Sequence, residues 1–300
     1  MITQFVWIVQ GSLDNGTYPD ALYYIDMVRD FNFFEASHLS FRVVVPFLVG
    51  SITNLLGITT LESISFIFGA WNFALFIFGM GVMLKIAIHE QSINVFELIL
   101  PAILIVFMPF FISAAFYPVP EAGIFLSFSL ILLSIFYKNL PLLFVITIIS
   151  IWVSETAILA VLLVPAFNFI RNDNWWQAYF PFLVALLIYV FVVQTLSPDL
   201  SEHYLFNSQN WMQNLISNFL NFDRYFFIML LPSFGLIIPF IAYCFYRSGA
   251  QKTNLTTLIL FISYYLIFLL TSPENTPRLM FMTLPLLILF NFNDKTIIKN

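Results

Sequence analysis

Residues 140–170 read LPLLFVITIISIWVSETAILAVLLVPAFNFI. The stretch is apolar except where Ser154-Glu155 and Pro165 interrupt it. A helix crosses the hydrocarbon core of a bilayer with about 20 apolar residues, within a range of about 17–25. These residues are therefore either one overlong crossing or two short pieces that enter the bilayer and return. The choice sets the direction of every element that follows. Lysine placement decides it, because cytoplasmic loops are enriched in Lys and Arg. With 140–170 as a hairpin and 43–57 lying in the membrane interface, all five lysines (Lys85, Lys138, Lys252, Lys295, Lys299) fall on one side. Arg171 and Arg247 join them, giving seven basic residues inside against four outside (Arg29, Arg42, Arg224, Arg278). A single crossing by either stretch splits the lysines. We therefore read a hairpin broken near Ser154-Glu155, which puts the C-terminal NDKTIIKN in the cytoplasm.

The rest of the chain agrees with a lipid environment. Hydrophobic residues make up 61% of the 300, and charged residues only 9%, where a soluble domain carries about 25% charged residues. So few charges cannot cover a water-facing surface. Crossing helices are expected at 61–87, 95–116, 122–137, 177–196, 226–246, 255–271 and 279–292. The expected fold is all-α: a polytopic integral membrane protein with a single transmembrane domain over 1–300. It has about seven full spans, a cytoplasm-entering helical hairpin at 140–170 and an interfacial helix at 43–57. Four segments then face outward. They are the first loop (1–40, with a surface helix), the turn at 117–121, a second larger loop at 197–225, and 272–278. Ten of the sixteen acidic residues lie in them.

Several function classes drop out. The cytoplasmic loops are too short for a nucleotide-binding domain, and no Gly-rich phosphate loop is present, which argues against an ATP-driven pump. No basic tract marks a nucleic-acid partner. The single cysteine, Cys244, excludes an internal disulfide and a Cys-rich metal site. The start, MITQFVWIVQG, has neither the basic region nor the small-residue cleavage site of a signal peptide. No Ser/His/Asp arrangement, His-Glu-x-x-His or Gly-x-Ser-x-Gly is present.

Charges in or beside lipid are costly, so each one asks for a role. The densest group is Tyr18-Pro19-Asp20-Ala21-Leu22-Tyr23-Tyr24-Ile25-Asp26-Met27-Val28-Arg29-Asp30. Pro19 suits a first helical turn. Asp20 and Tyr24 then share one face, and Asp26, Arg29 and Asp30 another. Asp26 and Asp30 read equally as a solvated face or a functional one, whereas Asp20, flanked by tyrosines, leans toward function. Arg42, in His38-Leu-Ser-Phe-Arg42-Val-Val-Val-Pro46, either reaches lipid head groups or grips a ligand phosphate in bidentate fashion. Glu121, after Pro118-Val-Pro120, either complements the helix N-terminus or binds a metal or orients an acceptor. Glu274 and Arg278, four apart, either pair with each other or offer Arg278 to an anionic head group. Glu155, at membrane depth or just short of it, requires a partner, water or a proton.

Together these residues resemble small bacterial members of the GT-C superfamily of membrane glycosyltransferases. The resemblance rests on Tyr18-x-Asp20-x-x-Tyr23-Tyr24, Phe41-Arg42-Val43-x-x-Pro46-Phe47-Leu48, the acid Glu121 at the next outer turn, Ser154-Glu155-Thr156, and Glu274-x-x-x-Arg278 before Leu284-Pro285. It covers nearly the whole chain as scattered residues in a fixed order. Ser154 stands where the family usually has Arg. The family begins with a complete span, and residues 1–10 are shorter than one, so an incomplete first helix is expected here. The resemblance implies a polyprenyl-phosphate-linked sugar as donor and a glycan, lipid or protein as acceptor. It implies that Asp20 is the general base, that Glu121 holds the acceptor or a divalent metal (Mg or Mn), and that Arg42 or Arg278 steadies the donor phosphate. Tyr24, His38, Glu155 and Glu274 would support the site. It places the enzyme in the inner (cytoplasmic) membrane with its active site on the periplasmic side. Two other functions compete: a non-catalytic membrane subunit packed against a membrane protein partner, and a transporter or flippase of lipid-linked sugars. An O-antigen type polymerase or ligase would need a large outer loop rich in Arg and His, and 197–225 has one of each.

Overall fold

The computed structural model describes residues 19–32, 42–89, 119–196, 208–235, 237–273 and 276–291. Among them every regular element is helical and no strand occurs. The expected span at 95–116, His38, Glu274 and the C-terminal NDKTIIKN lie outside the described residues.

The first helix, α1 (Pro19–Asp30), begins on a proline, whose missing N–H costs nothing in a first turn. Its buried positions Ala21, Tyr24, Ile25 and Val28 recur at helical spacing, while Asp26, Arg29 and Asp30 are exposed. Arg29 pairs with both acids, so this face is the solvated one. Helix α2 (Val44–Leu55) follows and packs on α1. Helix α3 (Leu61–His89) is the longest described element.

Helix α4 (Glu121–Phe136) forms the centre of the bundle. Every residue in it except Leu126 and Leu130 is buried. It runs parallel to α3: Asn72 Nδ2 donates to the Val119 carbonyl at 2.8 Å, and further along, Phe76 meets Phe125 with ring centroids 5.0 Å apart. The two helices approach closely at Gly79, where an added Cβ would lie 2.6 Å from Phe125 Cδ1. Small residues permit such approaches between membrane helices, where dispersion replaces the hydrophobic effect as the force of association. The Phe125 ring has no room to retreat, because it also packs on Phe281 at 5.4 Å. Gly79→Ala is expected to destabilise the protein by about 1–3 kcal/mol through overpacking, read as a lower thermal midpoint in detergent. Gly81→Ala, with nothing within 4 Å of its Cβ position, is the matched control.

Residues 140–170 fold as two pieces. Helix α5 (Leu140–Val153) starts at Asn139, whose side chain accepts from the Leu142 amide. It stops at Ser154, which adopts an extended conformation (φ −165°, ψ 139°), and the Ser154 hydroxyl accepts from the Thr156 amide. A serine that hydrogen-bonds its own backbone offers the chain an alternative to the helix. A 3-10 segment (Glu155–Leu162) and helix α6 (Leu163–Arg171) then return the chain. The return is fixed by Arg171, which donates to the Ile135 and Phe136 carbonyls at the end of α4, and by a Lys138–Asp173 pair. Both ends of the hairpin therefore lie at the same end of the bundle. Asn172, left-handed at φ 53°, closes α6.

Helix α7 (Phe180–Leu196) runs alongside α5, with Phe144 on Phe180 and Trp152 on Tyr189. Helix α8 (Ser208–Leu220) falls within the stretch 197–225. The single span expected at 226–246 is instead two helices, α9 (Phe222–Phe234) and α10 (Ile237–Ser248). Pro239 explains the break, since it has no N–H to offer the carbonyl of Gly235 four residues earlier. Helix α11 (Lys252–Thr271) crosses the bundle antiparallel to α9, with the Tyr265 hydroxyl donating to the Phe226 carbonyl. The expected closing span at 279–292 is a short helix, α12 (Thr276–Met280), followed by a 3-10 segment over Phe281–Asn291 that contains Pro285.

Three described helices are long and apolar enough to cross a membrane: Leu61–Ala87, Trp176–Thr195 and Lys252–Thr271. Helices α4 and α5 are equally apolar but shorter. Only 33% of the apolar windows of the first two spans is buried inside the protein. Their exposed faces carry Phe66, Phe73, Phe78, Phe180, Leu187 and Phe191, a surface suited to lipid. Four buried hydroxyls are satisfied within their own helices. Ser129, Ser134, Thr147 and Thr257 each donate to the carbonyl four residues back, as is usual in an apolar medium.

The bundle has two chemically different ends. At one, Lys138, Arg171 and Asp173 meet, and Lys252 donates to Asn172 and sits over the Phe169 ring. Lys85 and Arg247 occupy the last turns of helices pointing to that end. The other end holds Tyr24, Arg42, Glu121 and the break at Ser154-Glu155.

Candidate functional site

The site is assembled from four separate stretches of chain. Tyr24 comes from the buried face of α1, and Arg42 from the residues leading into α2. Glu121 is the first residue of α4, and Glu155 opens the 3-10 segment after the hairpin break. Each acid stands at a helix start, where exposed amides favour a negative charge.

Arg42 and Glu155 meet edge to edge. Arg42 Nε donates to one carboxylate oxygen at 2.9 Å and Nη2 donates to the other. Nη1 donates to the Tyr24 hydroxyl at 3.5 Å. The two charged side chains are 14% and 21% exposed, so the pair is largely shielded. Burial works against the Arg42 charge, and the Glu155 carboxylate more than restores it, leaving its pKa raised. Burial also pushes the Tyr24 phenol up, against the opposing charge of Arg42. Tyr24 therefore stays protonated.

Glu121 is buried and its charge acts on Tyr24. Ile124, Leu279 and Met282 lie beside it. Leu279 belongs to α12, so this short helix, which also carries Arg278, stands against the acid. The backbone of Asp20 lies one helical turn before Tyr24. The side chains of Asp20 and Arg278 are outside the described residues.

The structure thus brings together Tyr24, Arg42, Glu121 and Glu155 among the residues expected from the sequence. Glu155 has the partner that its depth demanded. Arg42, expected to reach a lipid head group or a ligand phosphate, uses its fork on Glu155. This pairing joins positions 113 apart in sequence, and no local pattern signals it. Tyr189, packed on Trp152 and reached by the charge of Glu155, was not singled out by sequence at all. Its only sequence signal is a tyrosine inside an apolar helix.

Among the described residues no three His, Cys, Asp or Glu side chains form a group that could hold a metal, and the Glu155 carboxylate is committed to Arg42. No protein-family model, curated protein or solved structure matches the chain.

Proposed function

We propose that this protein is a GT-C type glycosyltransferase that moves a sugar from a polyprenyl-phosphate donor to an acceptor on the outer face of the inner membrane, in glycan biosynthesis of the cell envelope. The observation that supports it is the gathering of Tyr24, Arg42, Glu121 and Glu155 at the end of the bundle remote from the basic cluster, beside helix α1, whose first turn holds Asp20. In a lipid-facing protein, a polar assembly at one end is a functional site by default.

The reaction is a single displacement. Asp20 takes the proton of the acceptor hydroxyl, the acceptor oxygen bonds to the anomeric carbon, and the bond from that carbon to the phosphate oxygen breaks. The lipid phosphate leaves with the electron pair, and Arg278 or Arg42 offsets its charge. One displacement without a covalent intermediate inverts the anomeric configuration. Glu121 orients the acceptor. Purified protein in proteoliposomes, given undecaprenyl-phosphate sugars and lipid or glycan acceptors, should yield an inverted glycoside. Movement of the lipid-linked sugar across the bilayer without a transfer product would replace this reading by a flippase.

The accompanying topology has seven full spans, the hairpin at 140–170 and the interfacial helix at 43–57, with the C-terminus in the cytoplasm. The shared location of Lys138, Arg171 and Lys252 supports that side as cytoplasmic. Cysteines placed at 86–90 or 248–252 should resist an impermeant thiol reagent in intact cells. Labelling of either loop from outside would overturn the orientation.

A further inference from the structure

We propose that α8 is a membrane-interface helix. Its face of Met212, Ile216, Phe219 and Leu220 rests among the lipids at the end of the bundle remote from the basic cluster, held by apolar contact without selection for anionic lipid. The inference is independent of the reaction proposed above.

The first argument is the pattern of the helix. Met212, Ile216, Phe219 and Leu220 fall within an arc of about 100° at about 3.6 residues per turn, and Gln213, Asn214 and Ser217 fall outside it. Both sets are exposed, and Phe219 and Leu220 are open to 67% and 74%. A helix open on an apolar side and on a polar side fits a boundary between lipid and water.

The second argument is depth. Asn218, on a third side of α8, donates from Nδ2 to the Leu270 carbonyl at 2.7 Å. Leu270 is next to the last residue of α11. That helix starts at the basic end, where Lys252 bonds Asn172. Its 20 residues rise about 30 Å, the thickness of a hydrocarbon core. Asn218 therefore sits where a span leaves the bilayer. At the junction with α9 the exposed residues Asp223 and Arg224 are charged, and one turn further on the exposed Phe227 and Ile228 are apolar. A change from charged to apolar surface within one turn marks head-group depth, because charges do not enter the core cheaply.

The third argument is charge. Ser208–Leu220 reads SQNWMQNLISNFL and holds no charged residue. Interfacial helices that select anionic lipid carry Lys or Arg on the polar face. Helix α8 presents amides and hydroxyls there, so apolar insertion is what holds it.

The test places a nitroxide on single cysteines (Met212→Cys, Gln213→Cys, Asn214→Cys, Ile216→Cys, Ser217→Cys, Phe219→Cys, Leu220→Cys) in full-length protein in phosphatidylcholine nanodiscs. Electron paramagnetic resonance then measures collisions with oxygen, which enters lipid, and with a nickel chelate, which stays in water. The unsubstituted chain, whose Cys244 is buried, gives the background. The oxygen-to-nickel ratio should be at least about 5-fold higher at 212, 216, 219 and 220 than at 213, 214 and 217, as for a face inserted about 5–10 Å into the boundary. Adding phosphatidylglycerol should change no ratio by more than about 2-fold. Four positions on the face keep the comparison intact if one labelled protein does not fold. Ratios as low on the apolar face as on the polar one, with frequent nickel collisions, would put it in water and overturn the proposal. Few collisions with either reagent would mean that a second copy or another segment of the chain covers it, which overturns the proposal equally. Ratios that rise only with phosphatidylglycerol would overturn the charge-independent anchoring.

Discussion

Asp20→Asn should reduce sugar transfer by about 10²–10⁴-fold, the usual cost of losing a general base. The amide keeps the size and shape of the carboxylate and removes its ability to take a proton. Expression, thermal midpoint and donor affinity should change little. Asp26→Asn and Asp30→Asn serve as internal controls, because both acids are exposed and share Arg29. Each should leave the rate within about 2-fold, since exposed pairs of this kind contribute only about 0–1 kcal/mol. The measurement is single-turnover transfer with saturating lipid-linked donor. An Asp20→Asn protein with wild-type turnover, or one that merely expresses poorly, would mean that Asp20 only starts helix α1.

Arg42→Ala should be the most destabilising single change at this end of the bundle. It leaves Glu155 without its bidentate partner in a shielded position, and it removes the donor to the Tyr24 hydroxyl. Breaking a fully buried pair costs about 3–5 kcal/mol. The residual exposure of 14% and 21% lets water compensate in part, so about 2–3 kcal/mol is expected. Glu155→Ala should cost a similar amount. The double variant should cost less than the sum of the singles, because neither charge is then stranded, with a coupling energy of about 0.5–3 kcal/mol. Thermal or denaturant unfolding of the four proteins in one detergent measures this directly. Additive losses would show that the two residues act independently of their contact.

Much of the local structure was legible before any fold was known. Pro19 and the spacing of Ala21, Tyr24, Ile25 and Val28 define α1, because a helical face repeats within a few residues. Ser154-Glu155 marks the break of the hairpin, since a serine competing for backbone hydrogen bonds acts on its immediate neighbours. The span at 61–87 and that at 255–271 follow from length and apolarity alone. The break between α9 and α10 was also encoded locally, in Pro239. The apolar run from 226 to 246 masked it, because hydropathy averages over the window in which a proline acts at one point.

Other features depended on three-dimensional packing. The partner of Glu155 lies 113 residues away, and nothing within either stretch distinguishes Arg42 from Arg278 as that partner. The place of Glu121 beside Leu279 and Met282 follows from how α4 packs against the segment that closes the chain. The close approach at Gly79 depends on which ring the facing helix presents. The sequence by itself determined that the chain is apolar and helical, and where several of its helices begin or stop, because periodicity, capping and charge placement are properties of neighbouring residues. Which polar groups share one end of the bundle, and which charge closes the fork of Arg42, was decided only by the tertiary structure, because a contact between distant positions exists only after the helices between them have packed.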